Sequence, residues 1–267
     1  MEIETPKVTA DRIKQYLLEN KRFDNRGLDD FRDIVIETDI SKKAEGSARV
    51  KIGKTEVIVG VKLDVSEPYS DTPDQGNLIT TAELLPMSSP RISLGRPGID
   101  SIELGRIIDR CIRESKFIDM KKLCIKKGEK VWTVFLDIYS LNDDGNLLDA
   151  AAIGAVVALK NTKIPKYDEK EEKVMYGELT NKSLPLKKET PLSITIWNIG
   201  DKLIVDPTRE EEDIAETRIT IGSYNGSICS IQKGEKKPLD YNKIEEALDM
   251  HEKVWNKVFK KIEKYLK

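Results

Sequence analysis

The sequence predicts an α+β fold built twice over, with sheets packed against central helices. Three observations lead there. Strand signals arrive as hairpins, several of them with clear turn dipeptides. One segment, "LLDAAAIGAVVALKNT", is apolar on nearly every side, as a helix buried on several faces must be. The order of hairpins followed by helix occurs twice, on either side of a charged stretch, "KYDEKEEKVMYGELTNKSLPLKKET". That stretch is the natural boundary, giving an N-terminal half 1–165 and a C-terminal half 166–267.

The elements follow in order. A first helix over 8–20, an extension of the N-terminal half, is capped by Thr9 and turns Ile13, Leu17 and Leu18 to one side. "RDIVIETDI" reads as a strand. "SARVKIGKTEVIVGVKLDV" reads as a hairpin turning at Gly53-Lys54. After a polar loop, "NLITTAELLP" resumes a strand and "MSSPRISLGRPGID" is a loop. "SIELGRIIDRCIRES" has helical period, with Leu104, Ile107, Ile108, Cys111 and Ile112 on one face and Arg106, Arg110 and Arg113 on the other. Two strands flank Lys127-Gly128, and the apolar helix follows, with Gly154 and its alanines permitting close approach. The second half opens with hairpins at Gly200-Asp201 and Asn225-Gly226, and closes on the long helix "NKIEEALDMHEKVWNKVFKKIEKYLK".

Composition narrows the chemistry. Charged residues make up 34% and aromatics 6% of 267 residues, a mix that matches the Lys/Glu enrichment of heat-adapted proteins. The formal charge is −2, so any site for nucleic acid has to be a local patch. No apolar run has the length of a membrane span, and the N-terminus lacks the apolar core of a signal peptide, so a cytoplasmic protein is expected. Cys111, Cys124 and Cys229 are far apart and form no metal spacing; they are expected to be reduced. A single histidine, His251, on a helix face, removes Ser-His-Asp, Cys-His and most zinc mechanisms. No cofactor and no metal is expected.

The segment "LNDDGNLLDAAAIGAVVALKNTKIP" runs from strand through loop to helix, where many α/β enzymes hold a phosphate. It offers no Lys, Arg, Ser or Thr between Asp143 and Ile153. Four residues of "VDPTREEEDIAET", namely Glu210, Glu211, Glu212 and Asp213, could hold a magnesium ion, but a run of acids is more often a solvated turn.

"RFDNRGLDDFRDIVIETDI", "GKTEVIVGVKLDV", "KVWTVFLDIYSLNDDGNLLDAAAIGAVVALKNTKIP" and "IVDPTREEEDIAETRITI", in this order, resemble RNase PH-type proteins, and among them the non-catalytic kind found in the archaeal exosome ring. The resemblance runs from about Arg22 through the last helix. It implies the RNase PH-like fold, a ribosomal protein S5 domain 2-like arrangement. Active members of the family carry Gly-Thr-Arg or Gly-Ser-Arg before the central helix, binding the phosphate that attacks RNA. Here Asn146, Leu147 and Leu148 stand at that triplet, and Asp149 beside it would repel phosphate while suiting the helix dipole. The paired acids of active members fall on Asp206 and on Thr208 or Glu212, with Arg209 among them. Both sites are therefore expected to be degenerate.

The resemblance also implies partners: a catalytic RNase PH-type subunit in a hexameric ring of three heterodimers, RNA, and S1/KH-type cap proteins, with no membrane. Arg106 and Arg110 match the face that grips RNA in such subunits; Arg113, Arg91 and Arg96 are lesser candidates. Two rival expectations are a phosphorolytic 3′-5′ exoribonuclease in its own right and a free-standing RNA-binding module.

Overall fold

The computed structural model describes residues 5–235 and 237–266. Helix α1 (Lys7–Leu18) precedes strands β1 (Ile34–Thr38), β2 (Gly46–Ile52), β3 (Thr55–Ser66) and β4 (Asn77–Leu84). Helix α2 (Ile99–Glu114), β5 (Cys124–Lys126), β6 (Lys130–Asn142) and helix α3 (Leu147–Lys160) come next. Strands β7 (Lys163–Asp168) and β8 (Lys173–Ser183) lead to β9 (Leu192–Ile199), β10 (Lys202–Val205) and the short helix α4 (Arg209–Asp213). The chain closes with β11 (Thr217–Tyr224), β12 (Ser227–Gly234) and helix α5 (Tyr241–Ile262).

Two sheets clasp α3. The first has the order β1-β2-β3-β6-β4, with β5 also paired to β6. It is antiparallel except between β4 and β6, which run parallel. The second has the order β10-β9-β11-β12 and is antiparallel throughout. Helix α3 packs on β2 and β3 to one side and on β9 to the other, with α2 against its flank. Every residue from Asp149 to Leu159 is accordingly buried. Gly154 is what allows the approach: a Cβ there would stand 2.6 Å from the Val59 Cγ2 methyl.

Turn chemistry behaves as expected where it is local. The Asn225-Gly226 turn has φ of 47° and 73°, the doubly left-handed geometry that only such dipeptides accept readily. Gly53 turns β2 into β3 with φ 58°.

Three sequence expectations are corrected. Thr9 does not cap α1; the helix starts at Lys7 with Pro6 at its cap, where a ring-fixed φ of −56° already suits helix entry. Ile13 and Leu17 are buried against Trp197, Ile199 and Ile204, but Leu18, 62% exposed, lies one step round the helix from that stripe. The charged stretch after residue 165 is not a break: β7 and β8 pair as a ribbon, and the 165/166 division falls inside β7. Nearly all of β8 is exposed, so its charges sit in water while its backbone is satisfied by β7.

His251 lies on the buried face of α5 with Ala247, Val254, Val258 and Ile262. Its Nε2 meets Ser223 Oγ at 2.8 Å, and burial pushes its pKa down to about 4.

Candidate functional site: a self-satisfied helix start and an arginine face

The loop between β6 and α3 is held tightly. Gly145, at φ 86°, lies so close to the 207–209 backbone that a Cβ would stand 2.6 Å from the Pro207 carbonyl oxygen. Asn146, at φ 62°, begins the helix. Its backbone N–H, one of the free donors that make a helix start an anion seat, donates to Glu212 Oε2 at 2.7 Å. The chain's own carboxylate thus satisfies this donor. Leu147 and Leu148 are half-buried and pack at the edge of the core, offering no donor.

The acidic segment is no solvated turn. Thr208 and Glu211 form a reciprocal capping box at the start of α4. Glu211 is buried and receives Arg22 Nε at 2.9 Å. Asp213 takes both nitrogens of the Arg91 fork and also accepts from Thr5 and Arg209. Burial raises the pKa of Glu212, against the pull of Arg209. Only Glu210 points fully into solvent.

Asp206 is fully buried. Its Oδ2 accepts from Arg32 N at 2.7 Å, Arg32 Nε at 2.9 Å and Arg26 Nη1 at 2.8 Å. Its Oδ1 accepts from Arg32 Nη2 at 2.7 Å and Asn146 Nδ2 at 2.9 Å. Five donors exceed the roughly four lone-pair sites of a carboxylate, so nothing is left to ligate a metal. Burial pushes its pKa up, but the Arg32 hydrogen bonds and charge outweigh burial and hold it below the usual carboxylate range. The fold therefore brings together the two elements singled out in the sequence, since Asn146 touches Asp206 and Glu212 at once.

Beside this lock opens a cleft of about 690 Å³. Its three guanidinium groups, Arg91, Arg209 and Arg218, all carry ion pairs already, with Asp213, Asp143 and Glu103 respectively. Carboxyl groups outnumber them along the wall, which makes the cleft hostile to a dianion.

The arginine face of α2 divides. Arg106 and Arg110 are exposed and enter no ion pair among the described residues. Arg113 instead bonds Asp109, with Nη2–Oδ1 at 2.8 Å, and the Leu78 carbonyl at 3.0 Å. Glu103, on the same helix, pairs with Arg218 instead of this face. Arg96 is exposed on the loop before α2, whereas the Arg91 fork is taken by Asp213.

Sequence and structure comparisons bear on this geometry. The profile of the 3′ exoribonuclease family, domain 1, matches residues 30–165, and that of domain 2 matches residues 189–253. The chain belongs to the RNase PH family. Among curated relatives, the exosome complex component Rrp42 of Methanothermobacter thermautotrophicus is 45% identical over 92% of this chain and 90% of its own length. Its counterpart from Archaeoglobus fulgidus is 45% identical over 91% of both. A chain of the Archaeoglobus fulgidus exosome with RNA bound to the active site superposes with a TM-score of 0.88 at 43% identity, covering 96% of this chain and 98% of that one. A chain of an archaeal exosome core gives 0.83 at 41%, covering 97% of both. The RNase PH-like α+β fold expected from sequence is the fold observed.

In this RNase PH chain the residues that sequence reading passed over are Arg22, Arg26 and Arg32. They carried the family resemblance but were given no role. A signal was available: only twelve of the 45 basic residues are arginine, and three fall within this one short stretch. Forked donors in a lysine-preferring chain suggest bidentate partners.

Asp149 lies in the first turn of α3, as expected, but it is buried, and its Oδ1 receives the Thr195 backbone N–H at 2.9 Å, tying α3 to β9. Burial raises its pKa to about 8 from the usual 3.8. Folded chains thus keep a proton that unfolded chains release. The stability from this group is complete below pH 3.8 and is lost as pH rises toward 8, by about 1.4 kcal/mol per pH unit. His251 works oppositely: its neutral form is favoured in the fold, so its contribution is present above pH 6.5 and lost as pH falls toward 4. Asp149→Asn keeps the acceptor and removes the titration. Urea melts across pH should show the variant gaining on wild type steadily between pH 4 and 8, and by little below pH 4.

Proposed function

We propose that this chain is a non-catalytic subunit of an archaeal exosome ring, a six-membered assembly of three heterodimers that degrades RNA 3′-to-5′ by phosphorolysis. One observation carries the reading. The Asn146 N–H, at the seat where active RNase PH members bind phosphate, is held by Glu212 at 2.7 Å. The saturated Asp206 and the paired cations of the cleft support it. The catalytic partner supplies the chemistry. This chain supplies wall, geometry and part of the RNA grip, through Arg106 and Arg110 first and Arg96 second. Cytoplasmic location, S1/KH-type caps and a duplicated build divided at 165/166 belong to the same reading. In favour of two units, the six-stranded sheet ends at Asn142 and the four-stranded one begins at Leu192, with the β7-β8 ribbon between them. No helix among the described residues is long and apolar enough to cross a membrane.

Incubating the purified chain with RNA and phosphate is expected to release no nucleoside diphosphate. Restoring Gly-Thr-Arg at 146–148 should not revive turnover, because Glu212 and the saturated Asp206 remain. Turnover by the wild-type chain alone would mean an exoribonuclease in its own right. Mixing with a catalytic RNase PH-type subunit should give an alternating hexamer by light scattering; separate monomers would favour a free-standing RNA-binding module.

A further inference from the structure

Two thiols from opposite halves of the chain meet beneath α2. Cys111 lies on its buried face. Across from it, β12 carries a bulge. Gly222 on β11 faces Ser230 while Ser223 faces Ile228, so Cys229 is the extra residue. A bulge re-aims the side chain it carries. Gly222 then leaves the room: a Cβ on it would stand 2.8 Å from Cys111 Sγ and 3.3 Å from Cys229 Sγ. Two sulfurs 2.8 and 3.3 Å from one point are at most about 6 Å apart. Cys229 Sγ also lies 3.8 Å from the Cys111 carbonyl oxygen. Helix α2 and β12 pack directly on each other, so the two sulfurs face one another across a single interface.

We propose that Cys111 and Cys229 form an oxidation site, in which a peroxide converts the pair to a disulfide that ties α2 to the second sheet. The two sulfurs are unequal. Cys229 is half-exposed, and hydrogen bonding from Cys111 favours its thiolate. Cys111 is buried, and its contact with Cys229 together with burial keeps it a thiol. The Cys229 thiolate attacks one peroxide oxygen, the O–O bond breaks, and the leaving hydroxide takes a proton to become water. The resulting sulfenic acid is attacked by the Cys111 sulfur, whose proton leaves with the displaced hydroxyl as a second water. Two thiols are oxidised by two electrons and one hydrogen peroxide is reduced to two waters. The bond would fix the helix bearing Arg106 and Arg110 to β12. This inference stands apart from the exosome reading, since it concerns the isolated chain.

The test uses the full chain, reduced and then exposed to hydrogen peroxide. Peptide mapping without reductant should recover a Cys111–Cys229 link, with Cys124 still titratable and the intact monomer lighter by two hydrogens. Closing a loop between residues 118 apart should raise the melting midpoint by on the order of 10 °C, reversibly on adding dithiothreitol. Cys124→Ser should behave as wild type. Links through Cys124, links between chains, or a sulfinic acid on Cys229 with Cys111 left as a thiol would each overturn the proposal.

Discussion

Asp206→Ala is expected to destabilise the chain severely while costing no chemistry of its own. The carboxylate is the common acceptor for Arg26 and Arg32, whose side chains are only 13% and 10% exposed. Removing it leaves two nearly buried guanidinium groups with only the more exposed Asp24 and Asp144 as counter-charges. Breaking a buried pair in this way costs ~3–5 kcal/mol. For a chain of this size that is a fall of about 10 °C in the melting midpoint. The Asn146 amide and the Arg32 backbone N–H would lose their acceptor at the same stroke. A catalytic acid behaves oppositely, because it is held under strain for function and its removal usually leaves stability unchanged or improved. A thermal melt separates the two roles: an Asp206→Ala variant as stable as wild type would show that the position is not a structural acceptor.

The second large effect belongs to the arginine face. Replacing both Arg106 and Arg110 by Glu should slow RNA degradation by the assembled ring at least tenfold at limiting RNA, taking each lost charge-assisted contact as roughly 1.5–3 kcal/mol. Raising the salt should narrow the difference, since counterions already compete for phosphate contacts. Folding should hardly change. Both side chains are exposed, and the helix is anchored through Leu104, Ile108 and Cys111 on its other side. The same double change at Lys260 and Lys261, exposed on α5, should do little. A variant that assembles and degrades RNA at the wild-type rate would defeat the idea. Failure to assemble would instead make the two arginines interface residues.

What could be read ahead of the structure was local or periodic. The Asn225-Gly226 hairpin follows from two residues that accept left-handed geometry, and α3 from an apolarity that leaves no face for water. The capping box of Thr208 and Glu211 was equally local, and reading it would have turned the acidic run from a solvated turn into a helix start. The pairing of β4 parallel to β6 was beyond such reading, because no turn links them. The ribbon of β7 and β8 was hidden by its charges, since an exposed strand needs no apolar alternation. The departure of the triplet at 146–148 from the family pattern was visible by resemblance. The partner of its first N–H was not, because Glu212 lies 66 residues away in sequence.

The lock between the 22–32 loop and the 205–211 segment also bears on how the chain is made. Arg22 bonds the Val205 and Asp206 carbonyls and Glu211, and Arg32 bonds Asp206 and Pro207, across separations of 174 to 189 residues. Synthesis proceeds from the N-terminus, so these arginines leave the ribosome long before any of those acceptors exists. The first sheet can form meanwhile, since all its strands lie before residue 143. The loop can meanwhile reach only Asp144 and Gly145, through Arg32, until β10 and α4 emerge. These contacts therefore act as a clasp that only a nearly finished chain can fasten.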